Sequence, residues 1–334
     1  MNEHERPIYE VIYMYELMNT QTNATLTETS VTFSADMFDR WVKYIGDRKP
    51  KTAETYTKNL RPFVEYITLN GIRHPERQDV VNYQRYLQES GKKPTTIKAY
   101  ITAVRIFFRW LRDEYKYTDI GKINTASVSM NHKKQPLRPS ECTELISGID
   151  LDTLQGKRDY AMLLLMITTG IRTVTVSLAN VGDIRTEYIK DVGDVTVLYY
   201  QGKGHTEKDA ALRLPDIVTE ALQDFTKERG AVSSNDPLFP CISNKNQGGR
   251  MATGSISRIV KTHMRSVGID DELKAAHSLR RTAANVAVDN GVDARELQQM
   301  LDHKDIRTTY IYINEHNQLT NTTPLKISQA LFGR

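Results

Sequence analysis

The chain has 334 residues, 39% of them hydrophobic and 26% charged, with a formal net charge of +4. This balance excludes an intrinsically disordered chain and suits one or two globular domains. The longest strongly apolar run, 160–167, is far too short to cross a bilayer, and the opening MNEHERPIYE lacks the layout of a secretory leader.

Cys142 and Cys241 form neither a disulfide framework nor a metal motif, which points to a reducing cytoplasm. Mild basicity fits a nucleic-acid partner without singling one out. In chain order, residues 1–32 read as a largely polar N-terminal extension. From Phe33 the pattern turns helical, with Phe38, Trp41, Val42 and Ile45 on one face until Arg48-Lys49-Pro50. A second helix aligns Tyr56, Leu60, Phe63, Val64 and Ile67 and stops at Asn70-Gly71. A third runs from about Arg77 to Leu87. After Pro94 a long helix places Ile97, Ile101, Val104, Phe108 and Leu111 in one stripe. Residues 33–118 therefore read as a four-helix domain, and the polar stretch 119–138 as a linker.

A second domain, 139–314, opens at Pro139-Ser140-Glu141, where Ser140 is the expected helix cap. The apolar run 160–167 suits a fully buried helix. Residues 194–200 and 210–214 read as two strands joined by the polar turn QGKGHTEKD. Helices are expected over 217–229, 254–267, 279–290, 293–302 and 305–313. Residues 315–334 form a tail with Leu325, Ile327, Leu331 and Phe332.

Four segments of this domain carry chemistry: Thr169-Gly170-Ile171-Arg172, Gly202-Lys203-Gly204, His277-Ser278-Leu279-Arg280, and Leu301-Asp302-His303 with Tyr312 nine residues on. Each alone has an ordinary explanation. An Arg after a helix caps carbonyls, a Lys between glycines is a hairpin tip, and a Tyr among aromatics is core. Their joint order carries the reading. It resembles the tyrosine recombinases, which include phage integrases, Xer recombinases and conjugative-transposon integrases. These show Arg, Lys, His-x-x-Arg and Leu-Gly-His in order, then a Tyr nine residues after the last His. The likeness covers roughly residues 35–315, with Asp302 in place of the usual Gly.

The resemblance implies a mostly α fold: a helical SAM-like core-binding domain, then a mostly α catalytic domain with a small antiparallel β-sheet. It implies the catalytic set Arg172, Lys203, His277, Arg280, His303 and Tyr312. Two guanidiniums suit a phosphodiester, since their planar forks match phosphate oxygens and hold transition-state charge. His303 adds a further hydrogen bond. Tyr312 attacks phosphorus, His277 takes its proton, and Lys203 protonates the departing 5′-oxygen. Lys208 is a rival acid, and Tyr310 a rival nucleophile that points elsewhere on a helix. No metal or nucleotide cofactor is expected, because the covalent link conserves bond energy.

Double-stranded DNA is the implied partner, clamped between the two domains, with a dimer on one site and a tetramer in synapsis. Lys51, Lys58, Lys98, Arg105, Arg109, Lys133 and Lys134 are the expected phosphate contacts. The tail is expected to dock on a neighbouring subunit, and the ~33 residues before the first helix are too few for a complete arm-binding domain. No membrane role is expected, and the protein is placed in the cytoplasm with the nucleoid. One departure stands out: Thr175 replaces the acidic residue that usually braces the first Arg. It motivates the alternative of a catalytically degenerate DNA-binding regulator. A relaxing topoisomerase is a third reading, and a metal hydrolase built on His277 and His303 fits no zinc spacing.

Overall fold

The computed structural model describes residues 35–46, 50–72, 74–125, 134–202, 207–242 and 246–333. The chain divides into two compact units between residues 129 and 130. Among the described residues no helix is long and apolar enough to cross a membrane.

The first unit holds α1 (Ala35–Gly46), α2 (Pro50–Leu69), α3 (Arg77–Glu89) and α4 (Pro94–Tyr115). Pro94 sits in the first turn of α4, where its fixed φ favours the helix and its missing N–H costs nothing. The α4 stripe is buried as its spacing predicts. Phe107 receives Trp41 edge-on at 5.4 Å, and Phe108 meets Phe63 at 5.9 Å. Burying each such ring contributes roughly 1.5–3 kcal/mol. α2 runs through Pro62, which has no N–H to give; Leu60, Phe63 and Ile67, all buried, hold it against the core. α4 ends at Lys116, whose left-handed backbone (φ 57) turns its N–H onto the Arg112 carbonyl.

Of the 119–138 stretch, Ile120 and Ile123 pack into this first core, while Leu137 packs into the second. Gly121 passes so close to α4 that a Cβ there would lie 2.8 Å from the Arg105 Cα.

The second unit holds α5 (Pro139–Ser147), α6 (Leu154–Thr169), α7 (Thr173–Leu178), β1 (Ile184–Ile189), β2 (Gly193–Tyr200) and β3 (Ala210–Arg213). These are followed by α8 (Asp216–Arg229), α9 (Thr253–Ser266), α10 (Ala276–Asp289), α11 (Ala294–Met300), α12 (Ile306–Thr320) and α13 (Thr323–Phe332). α6 is the central helix: residues 161–166 are all buried, and it packs on α8 and α10. Thr153 caps it by accepting from the Gly156 N–H at 3.0 Å.

The strands form an antiparallel sheet in the order β1-β2-β3, with Leu198 opposite both Ile184 and Leu212. The fold is thus mostly α with a small antiparallel sheet. Five details differ from the sequence reading. β1 and α7 were not anticipated. Ser140 lies inside α5 rather than capping it: Pro139 takes the first helical position, and the Glu141 carboxylate accepts from the Arg138 N–H at 2.8 Å. α12 continues to Thr320, and the tail carries α13.

Candidate active site

The site is built where α6 ends. Gly170 turns left-handed (φ 63), and a Cβ there would lie 2.9 Å from Leu301 Cδ2 and 3.2 Å from Ala283 Cβ. Two residues on, Arg172 takes an extended backbone as the N-cap of α7. Its guanidinium donates from Nη1 to Asp302 Oδ2 and from Nη2 to the Asp302 carbonyl, both at 2.8 Å.

Arg280 on α10 is 5% exposed. It donates from Nη1 to the Gly170 carbonyl at 2.7 Å and from Nη2 to the Leu301 carbonyl. The two arginines therefore tie the 170–172 turn to the 301–302 loop. Burial, and then the nearby Arg172, push the Arg280 pKa down to about 10, which leaves it cationic at neutral pH. His277 lies one turn before Arg280 and is exposed at the surface. Partial desolvation of its ring, then Arg280, Arg172 and Arg281, hold its pKa below the ordinary value. That shift favours the neutral imidazole over the imidazolium.

The loop between α11 and α12 carries His303. Its N–H donates to the Gln298 carbonyl at 3.0 Å, and Gln298 Nε2 donates to the His303 carbonyl at 2.8 Å. Its Nδ1 lies 2.9 Å from the hydroxyl of the fully buried Thr309. The ring stacks parallel to Tyr312, with centroids 6.3 Å apart. Tyr312 is 2% exposed and packs with Ala284, Leu297 and Leu301. Burial raises its phenol pKa and outweighs the opposing pull of Arg280 and Arg281. Tyr310, two residues earlier, is 44% exposed.

The structure thus brings Arg172, His277, Arg280, His303 and Tyr312 together from separate segments. Lys203 lies outside the described residues. Lys208 donates to the Leu178 carbonyl at 3.1 Å and pairs with Asp183, so it anchors the base of the hairpin. Thr175 is buried, with its N–H on the Arg172 carbonyl at 2.9 Å.

Among the expected DNA contacts, Lys58, Lys98 and Arg109 are exposed. Arg105 donates instead to the Ile123 carbonyl, and Lys134 Nζ to the Glu272 carbonyl at 2.6 Å. Lys133 and the side chain of Lys51 lie outside the described residues.

Four further residues had no role in the sequence reading. Thr309 orients His303. Tyr200, buried at the end of β2, has its phenol raised by burial and then by Asp302. Arg281 pairs with Glu315, three residues beyond Tyr312, and also holds the Lys134 carbonyl. A second arginine directly after Arg280 was the one visible signal among these.

The pattern of the phage integrase family matches residues 135–318, and that of its N-terminal SAM-like domain matches residues 38–115. Tyrosine recombinase XerD of Listeria innocua serovar 6a is 28% identical over 309 residues, covering 88% of this chain and 97% of that relative. Among solved structures, a XerH site-specific recombinase in a post-cleavage complex with its palindromic difH substrate superposes with a TM-score of 0.69. It has 17% identity and covers 100% of this chain and 99% of that one. A lambda integrase tetramer bound to a Holliday junction gives 0.61 at 15% identity, covering 89% and 84%. The family pattern spans more than half of the chain, over the same residues that assemble the site, and the protein belongs to the phage integrase family of tyrosine recombinases.

Proposed function

We propose that the protein is a site-specific DNA recombinase that cleaves and rejoins strands through a 3′-phosphotyrosyl link to Tyr312. The observation that carries this reading is the convergence of two guanidiniums, two imidazoles and one tyrosine around the 170–172 turn and the 301–303 loop.

Arg172 and Arg280 hold the scissile phosphate and the charge that grows in its transition state. His303 donates a further hydrogen bond to it. The Tyr312 oxygen attacks phosphorus, its proton passes to His277, and the bond to the 5′-oxygen breaks. Lys203 protonates that leaving oxygen. Rejoining is the reverse attack by a 5′-hydroxyl, so the scheme needs no metal and no nucleotide. A buried phenol with a raised pKa is unreactive as it stands. Cleavage therefore depends on DNA seating to expose it.

Double-stranded DNA in the cytoplasm is the partner, with Lys58, Lys98 and Arg109 as phosphate contacts. A dimer on one site and a tetramer in synapsis fit the assemblies named for the lambda integrase structures. α13, with Leu325, Leu331 and Phe332 each more than two-thirds exposed, is the segment that docks on a neighbouring subunit.

The test is a suicide substrate carrying the site recovered from DNA flanking the gene, resolved on a denaturing gel. Wild type is expected to form a covalent adduct and Tyr312→Phe none, with Tyr310→Phe unaffected. Tight binding without any adduct from wild type sinks the proposal and leaves a DNA-binding regulator.

A further inference from the structure

We propose that Asp302 is a positioning residue whose carboxylate fixes the Arg172 guanidinium in the orientation that receives the scissile phosphate. The inference rests on the recombinase reading above and assigns how one of its two arginines is held.

One residue grips Arg172 at two points, by its carboxylate on Nη1 and its carbonyl on Nη2, both at 2.8 Å. Both side chains are about three-quarters shielded, at 26% and 23% exposure, so the charged bond is stronger than a surface pair. α7, the six-residue helix that Arg172 caps, reads Thr-Val-Thr-Val-Ser-Leu and carries no charge of its own. The buried neighbour Thr175 offers a hydroxyl at most. The countercharge comes from across the site.

The backbone is compatible with a carboxylate at this position. Asp302 sits at φ 48, a left-handed position that glycine fills without strain. Aspartate is among the few other residues that tolerate this region, so the carboxylate can stand here at modest cost. Arg280, by contrast, is held by the main-chain carbonyls of Gly170 and Leu301. The two guanidiniums repel, since Arg172 lowers the pKa of Arg280, and Asp302 acts in the opposite sense. One carboxylate therefore steadies a pair of like charges.

Nor does the grip exhaust Arg172. A guanidinium has five N–H donors, and Asp302 engages two, which leaves three for phosphate. Because Asp302 directly precedes His303, the same loop fixes Arg172 and a second phosphate donor in one geometry.

The test is single-turnover cleavage of the suicide substrate at saturating protein, with DNA affinity and thermal unfolding measured alongside. Asp302→Gly suits the left-handed backbone and keeps the carbonyl contact, so it removes the carboxylate alone. It is expected to unfold no earlier than wild type, to bind DNA within about twofold of wild type, and to cleave about tenfold more slowly. Asp302→Asn keeps an oxygen but no charge and falls between them.

A substrate with a methylphosphonate at the scissile position has lost one negative charge and leans less on Arg172. On it the Asp302→Gly deficit is expected to shrink to about threefold or less. A merely structural role would slow both substrates alike, and that result overturns the inference. Cleavage by Asp302→Gly at or above the wild-type rate also overturns it, and marks the carboxylate as a competitor of phosphate. Arg172→Ala separates the two levels. If it cleaves like wild type, the reading of the site itself fails. If it is dead while Asp302→Gly is unimpaired, only the role of Asp302 fails.

Discussion

His277 gives the site a pH signature. Its pKa lies below the ordinary value of about 6.5, so its neutral, proton-accepting form persists to lower pH than a solvated histidine allows. Under the proposed mechanism, cleavage is complete above that pKa and lost as pH falls through it. The acid limb of the single-turnover rate is expected to have its midpoint below about 6.5. His277→Gln is expected to remove that limb and to slow cleavage by on the order of a hundredfold. An acid limb that survives the substitution assigns the base elsewhere. At this scale order and spacing pointed to Arg172, His277, Arg280, His303 and Tyr312, which the fold gathers, whereas Lys203 lies outside the described residues. The sequence was silent on Asp302 as a partner of Arg172, because the two lie 130 positions apart and no local pattern links them. The same holds for Thr309, an unremarkable helix residue until folding brings its hydroxyl to His303.

Helices with an apolar stripe were readable because burial and the 3.6-residue period coincide, as along α4. β1 was not, because its edge position leaves four of its six residues exposed and only Ile184 and Glu187 partly buried, with no clean alternation. α7 is short and rich in β-branched residues, a composition that locally favours a strand. Arg250 holds it as a helix by donating to the Ser177 carbonyl at 2.7 Å. Two helix ends give element-level predictions. Lys116→Gly relieves a left-handed backbone at an exposed C-cap and is expected to stabilise the first unit by about 1 kcal/mol. Its denaturation midpoint should rise with an unchanged slope. Gly170→Ala does the reverse at the end of α6. Strain plus the close approach to Leu301 and Ala283 is expected to cost about 2 kcal/mol or more. It also displaces the carbonyl that Arg280 holds, so cleavage should fall further than stability alone explains. A Gly170→Ala protein with normal melting and normal cleavage contradicts the role given to this turn.

For the whole molecule, a net charge of +4 is modest, so affinity for DNA depends on where the cations lie. Binding is expected to weaken with salt, and Lys98→Ala and Arg109→Ala should each reduce the slope of log K against log salt by about 0.9. Arg105→Ala is expected to leave that slope unchanged and to lower stability instead, because its guanidinium is engaged by the Ile123 carbonyl. A slope that drops for Arg105→Ala and holds for the other two reverses this assignment. The burial of Tyr312 at 2% exposure has a consequence for the chromosome. A protein that scans random sequence meets far more wrong phosphates than right ones, and contact alone cannot protect them all. Under the proposed mechanism, with the phenol stowed among Ala284, Leu297 and Leu301, accuracy becomes a ratio of unpacking frequencies on cognate and random DNA. Every 1.4 kcal/mol by which a seated site favours the open state adds about a tenfold margin against stray breaks, without any gain in affinity.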